Sequence, residues 1–169
     1  ALVISKIKNM NFLKVLDTAC LGLILGQIIG RWGNFINREA YGGNSNGLLA
    51  MQINTNDGIV NITPQSGVSY IEGTRFIQVQ PTFLYESLWN LILLIIIMIF
   101  RKKKQYDGEV FLWYIGGYAL GRSIIEGMRT DQLMLPMINL PVSQVLSVSI
   151  VIAVVTILVI KRVRIKKQL

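Results

Sequence analysis

The chain of 169 residues contains no histidine and a single cysteine, and only 15% of it is charged. Without histidine, a metal site or a general base built on imidazole is excluded within these residues. A proton acceptor must therefore be a carboxylate, a tyrosine or a group outside them. With Cys20 alone no intramolecular disulfide can form, and its place inside an apolar run makes it a small core residue. Walker, Rossmann and zinc-ligand spacings are missing, as are internal repeats and low-complexity linkers. The scarcity of charge accompanies 52% hydrophobic residues and a mean hydropathy of +0.50, too apolar for a soluble domain.

What is present is a set of apolar runs long enough to cross a bilayer, which reads as a multi-pass membrane protein. A net charge of +8 would suggest nucleic acid as the partner of a soluble protein, but its placement argues otherwise. Every lysine falls at positions 6–14, 102–104 or 161–167, flanking apolar runs, so the lysines are topology signals. Apart from Arg101, which adjoins the second cluster, the cations outside those clusters are Arg31, Arg38, Arg75, Arg122 and Arg129, all arginine, which favours anion recognition over anchoring. The first residue is Ala1, with no charged n-region and apolar h-region behind it, and the chain is expected to be the C-terminal part of something longer.

In order, residues 1–4 are expected to be the tail of a preceding span, and residues 15–30 to form a short apolar helix. There Gly22, Gly26 and Gly30 recur on one face, so another helix can pack close; Gln27 beside them is an interhelical hydrogen-bonding residue. Residues 38–80 turn polar and glycine-rich, with β-favouring pieces at 48–53, 58–62 and 75–79, and are expected to roof a site or simply to connect spans. Pro81 opens a span over 82–100, stopped by Arg101, Lys102, Lys103 and Lys104. A third run, 109–128, carries Gly117 and Gly121, a small-residue face that can approach the Gly22/Gly26/Gly30 helix. After an outer loop with Pro136 and Pro141, a last span covers 141–160 and ends in a basic tail. The lysine bias gives one consistent topology: inside at 6–14, outside at 38–80, inside at 101–107, outside at 128–140, inside from 161. The expected fold is an all-α multi-pass membrane protein of about four transmembrane helices with a small β-containing extracytoplasmic lobe, residues 1–169 forming one integral membrane domain.

The candidate site begins at Gly30-Arg31-Trp32-Gly33-Asn34-Phe35-Ile36-Asn37-Arg38-Glu39, where an apolar run ends. An arginine at membrane depth costs roughly 2.5 to 3.5 kcal/mol unless partnered, so Arg31 wants an anion. The plain alternative is that Arg31 and Arg38 anchor a helix end by snorkelling. Two close glycines, Asn34, Asn37 and a following carboxylate, Glu39, instead suggest a tight backbone lined with donors, suited to a phosphate. Tyr85 and Glu86 fall in the first turns of their span, where an acid also favours the helix macrodipole. Tyr118, Arg122, Glu126 and Arg129 form one stripe that must face protein or water. Either Arg122 joins Arg31, or Arg122 and Glu126 only neutralise each other at (i, i+4).

The first string, read as Gly-Arg-x-Gly-Asn-Phe-x-Asn-x-Glu, resembles the signature of the bacterial prolipoprotein diacylglyceryl transferases. Gln80-Pro81-Thr82-Phe83-Leu84-Tyr85-Glu86 resembles a second motif of that family, His-Pro-x-x-Leu-Tyr-Glu, with Gln80 in place of the histidine. Gly121-Arg122-x-x-x-Glu126-x-x-Arg129-x-Asp131 resembles a third. The resemblance implies transfer of the diacylglyceryl group of phosphatidylglycerol to the lipobox cysteine thiol of a prolipoprotein signal peptide, in the bacterial cytoplasmic membrane. It implies a C-terminus in the cytoplasm, a site facing the outer leaflet, and neither cofactor nor metal. On this reading Arg31 and Arg122 hold the lipid phosphate, Asn34 and Asn37 are neutral donors, Glu39 and Glu126 orient the arginines or take a proton, and Tyr85, Glu86 and Tyr118 contact substrate. It also implies upstream spans and a histidine that these residues lack, so the chain alone is expected to be incomplete as an enzyme. Two other classes are an anion transporter, which would need an inverted repeat that is not found, and an assembly subunit whose glycine faces only pack on partner helices.

Overall fold

The computed structural model describes residues 2–56, 68–135 and 140–167. A short helix α1 (Leu2–Ile7) leads through a turn to the long helix α2 (Phe12–Asn37), whose Asn11 cap accepts the amide of Leu13. Strands β1 (Met51–Asn54) and β2 (Phe76–Val79) follow, then helices α3 (Thr82–Phe100), α4 (Glu109–Ile125) and α5 (Val142–Lys166). α2, α3 with its 3-10 turn to Lys103, and α5 are long and apolar enough to cross a membrane, as expected of a multi-pass membrane protein. α4 has 17 residues and continues by a 3-10 turn, Glu126–Met128. It lies at the centre, with α2, α3 and α5 all packed on it.

α2 differs from the expected 15–30. No residue after Gly30 breaks it, and it runs through the whole polar string to Asn37. The tight, amide-lined backbone expected there is instead regular helix, with its amides spent on the helix ladder. It stops because Arg38 turns left-handed at φ 56, closing the end with amide bonds from Arg38 to Phe35 (3.2 Å) and from Glu39 to Asn34 (3.0 Å). That conformation costs a residue with a side chain roughly 1 kcal/mol. The Arg38 guanidinium reaches the carbonyl of Asn54 at 3.2 Å, so the side chain ties the helix end to the lobe.

The lobe is a two-stranded antiparallel sheet in the register Met51 to Val79 and Ile53 to Ile77, over a core of Met51, Ile53, Val68, Ile77 and Val79. Phe83 of α3 completes that core and fixes the lobe on the bundle. The strand expected at 58–62 and the turn at Pro136 lie outside the described residues.

The glycine faces do not meet. An added Cβ at Gly22, Gly26, Gly30 or Gly33 would touch nothing within 4 Å, whereas one at Gly117 would strike Leu93 and one at Gly121 would strike the Trp89 indole. Close approach therefore joins α4 to α3, not to α2, and the Trp89 indole N–H donates to the Gly117 carbonyl at 2.9 Å. Cys20 is fully buried with Ile24, Ile97, Val110 and Tyr114 where α2, α3 and α4 meet.

Candidate functional site: two arginines on one buried carboxylate

Glu86 sits one turn into α3, 4% exposed. Its Oε2 lies 2.5 Å from Nε of Arg31, which α2 supplies, and its Oε1 lies 3.1 Å from Nη1 of Arg122, which α4 supplies. Three helices thus converge on one carboxylate. The second nitrogen of Arg122 is 2.7 Å from Oε2 of Glu126, itself 4% exposed. The two readings of Arg122 both hold: it pairs along its own helix and across to α3. Arg31 also donates from Nη2 toward the Tyr118 hydroxyl at 3.5 Å, one turn before Arg122. The arginine side chains keep 19% and 17% exposure, so neither is fully enclosed by the bundle.

Two buried carboxylates among arginines satisfy the rule that a charge at membrane depth is partnered. Each guanidinium has five N–H donors in a planar fork, and the carboxylates consume only part of them. An anion can therefore bind without displacing Glu86. It cannot do so from the α3–α4 side, where the void lined by Glu86, Asn90, Tyr118 and Arg122 is only about 10 Å³, the size of one water. On α2 next to Arg31, the rings of Trp32 and Phe35 pack on Phe83 at 5.4 and 4.9 Å. Trp32 and Phe35 remain largely exposed, as suits an aromatic belt at a lipid interface.

The remaining expected residues are distributed differently. Asn34 is half-buried on α2, and Asn37 and Glu39 are exposed, bonded to each other through Asn37 Nδ2 and Glu39 Oε1 at 3.1 Å and not to the arginines. The cause is the unbroken helix, which carries Asn37 and Glu39 more than a turn past Arg31. Tyr85 is half-buried beside Glu86. Arg129, past the end of α4, is held bidentately by Asp131 at 2.9 and 2.7 Å, and that guanidinium holds the Asp131 carboxyl below its usual range. Among the described residues no group of three or more His, Cys, Asp or Glu converges to hold a metal.

Gly42 was not singled out by sequence reasoning, yet it fixes the lobe over this site. Its amide donates to the Gln80 carbonyl at 3.0 Å, and Gln80 returns the bond to Gly43. A Cβ at Gly42 would lie 2.9 Å from both Gln80 Cβ and the Met128 carbonyl. The backbone of the lobe is thereby inserted between the start of α3 and the end of α4. The glycine pair Gly42-Gly43, three residues past Glu39, is the one sequence signal that could have marked it.

Residues 1–160 match the prolipoprotein diacylglyceryl transferase family. The chain is 46% identical over 133 residues to the phosphatidylglycerol–prolipoprotein diacylglyceryl transferase of Clostridioides difficile (strain 630), covering 79% of the chain and 45% of that relative. It is 43% identical over 168 residues to the Lysinibacillus sphaericus (strain C3-41) protein of the same name, covering 98% and 58%. For the protein of that name in Listeria monocytogenes serotype 4a (strain HCC23) the figures are 42% over 164 residues, 97% and 55%. The chain spans about half the length of the curated relatives it matches.

Proposed function

Because this chain belongs to the prolipoprotein diacylglyceryl transferase family, we propose that it supplies the phosphate-holding part of a site that transfers the diacylglyceryl group of phosphatidylglycerol to a lipobox cysteine thiol. The sulfur attacks the glyceryl carbon, the carbon–oxygen bond to phosphate breaks, and glycerol phosphate leaves with the electron pair while the thiol proton goes to a base. Charge on the phosphate rises as that bond breaks, so donors fixed beforehand around it favour the transition state over the bound lipid. Arg31 and Arg122 are such donors, and the observation that carries this reading is their attachment to one buried carboxylate, Glu86.

Glu86 and Glu126 act here as positioning residues. Protonating either would break an ion pair to Arg122, and for Glu86 also one to Arg31, so neither suits the role of base. Tyr118 orients Arg31. Residues 1–169 act as one integral membrane unit with 38–80 as a lobe on the outer side. The lysine clusters and the C-terminus face the cytoplasm of a bacterial cell, and the site opens to the outer leaflet beside Trp32 and Phe35. The exported prolipoprotein, with its signal peptide, meets the lipid there.

The test uses the full-length protein and transfer of labelled lipid to a lipobox peptide. Arg31→Lys and Arg122→Lys should each lose roughly 10- to 150-fold, the worth of a charge-assisted hydrogen bond at about 1.5 to 3 kcal/mol, because an ammonium keeps the charge and loses the fork. Arg38→Lys, whose guanidinium serves the Asn54 carbonyl, is the control. Near-normal rates for both site variants with loss at Arg38 would put the phosphate elsewhere.

A further inference from the structure

At the lysine-rich end of the bundle, far from Glu86, α3 and α5 leave a groove of about 490 Å³ open over α4. Its walls are apolar, with Ile96 and Phe100 of α3 and the Trp113 ring of α4, and Lys103, Gln105 and Arg162 gather at one end. Ile96 and Phe100 are 47% and 44% exposed, so the apolar length opens sideways, toward lipid. Such a volume lies within the range of small-molecule sites.

The charges at the mouth do not cancel. Arg162 is taken up by Glu109, which is fully buried and accepts from its Nε at 3.1 Å and Nη2 at 2.7 Å, while the other Glu109 oxygen accepts the Gln105 amide. Lys104 is held by Asp17 and Asp107. Lys161 lies over the Tyr106 ring at 5.2 Å. Lys103 has only the face of Phe100, at 5.4 Å, and among the described residues no carboxylate pairs with it. An unbalanced ammonium at the polar end of an apolar groove inside membrane-spanning helices matches one kind of molecule.

We propose that this groove binds an anionic glycerophospholipid, one acyl chain along Ile96, Phe100 and Trp113 and the headgroup phosphate at Lys103, with the unspent Nη1 of Arg162 as a second donor. A zwitterionic lipid brings its own cation to the same place and gains less from Lys103. The inference rests on the membrane-spanning reading of the helices and not on the transfer reaction, so it stands or falls separately from the proposed function.

The experiment places the full-length protein in phosphatidylcholine nanodiscs containing a photoactivatable acyl-chain probe, either phosphatidylglycerol or phosphatidylcholine, and maps adducts by peptide mass spectrometry. Labelling around 96–113 should favour the anionic probe about fivefold, the surface value of one lysine. Lys103→Gln should bring the two probes to parity, Arg75→Gln in the lobe should leave the ratio unchanged, and Ile96→Trp, which fills the groove, should reduce labelling by both. Adducts near Trp32 and Phe35 report the other end and should follow none of these changes. Equal labelling by both probes, an anionic preference that survives Lys103→Gln, or no labelling of 96–113 because another part of the protein covers the groove would each overturn the proposal.

Discussion

The two ends of the helix bundle solve the same problem in different ways. At each end buried carboxylates lie among cations. At the lysine-rich end Asp17 accepts the backbone amides of Gly108 and Phe111, both at 2.9 Å, besides the Lys104 ammonium, and Glu109 accepts the Gln105 amide besides Arg162. Those acids hold main chain: Asp17 caps α4 from another helix and fixes the left-handed Gly108 at φ 90. At the opposite end Glu86 and Glu126 accept guanidinium groups alone among their ion pairs, and what they fix is the direction of arginine side chains. A carboxylate spent on backbone builds the fold; one spent on two arginines from two helices arranges donors.

The largest break in that comparison would come from Glu86→Gln. Losing the charge leaves Arg31 without a carboxylate and Arg122 with Glu126 alone, and removing one partner of a buried pair costs up to roughly 3 to 5 kcal/mol. Transfer activity should fall at least as far as in either arginine variant, with a lowered melting temperature in detergent. A Glu86→Gln protein that melts and transfers normally would reduce Glu86 to a macrodipole residue, the plain alternative that its helix position allows.

Asp17→Asn sharpens the contrast from the other end. It keeps one acceptor oxygen for two amides and loses the Lys104 ion pair, so stability should drop by about 2 kcal/mol. Activity per folded molecule should stay near normal. A selective loss of turnover at unchanged melting temperature would mean that the two ends are coupled, and that the division between fold and chemistry fails.

Gly42→Ala tests the seam above the site. The new methyl meets Gln80 Cβ and the Met128 carbonyl, and backbone cannot yield as a side-chain tip would. Overpacking of this kind costs roughly 1 to 3 kcal/mol, and the displaced end of α4 should carry Arg122 with it. Proteolysis of the lobe should speed up together with the loss of transfer. If the lobe loosens while transfer is kept, the lobe does not position the arginines.

How much of this was legible differs by kind of signal. Hydropathy and the lysine clusters located α2, α3 and α5, because burial in lipid acts on composition over a whole turn-by-turn run. The polar string at 30–39 stands out in the sequence, but the tight, donor-lined backbone expected there is regular helix to Asn37, since glycine and asparagine weaken a helix without ending one that packing supports. The glycine repeats showed which faces can be approached and not by what: Gly117 and Gly121 receive Leu93 and Trp89, and the α2 face receives nothing within 4 Å. That Arg31 and Arg122 share a partner was not legible, because Glu86 lies on a third helix and no spacing relates the three. Asp17 was legible and passed over. An acid within an apolar run, near its start, announces a partner, here Lys104.

The smallest effect is expected at Asp131, the exposed member of the Arg129 pair. Bonding to Arg129 lowers its pKa in the folded protein, with burial opposing and the charge of Arg122 assisting. A depressed folded pKa contributes stability that is present above the unfolded value, about 3.9, and is lost as pH falls through the folded one. Its side chain is 51% exposed, so solvent screens much of this, and the contribution lies toward the low end for surface pairs. Melting temperature should therefore fall slightly more steeply below about pH 4 in the parent protein than in Asp131→Asn, and the two should differ by a constant small offset above about pH 5. Raised salt should narrow that offset, as it does for exposed pairs, while leaving the penalty of Glu86→Gln nearly untouched because that carboxylate is buried. An offset at Asp131 that ignores salt would move Arg129 out of the surface class and into the buried arginine group on Glu86, extending the donor array by one residue.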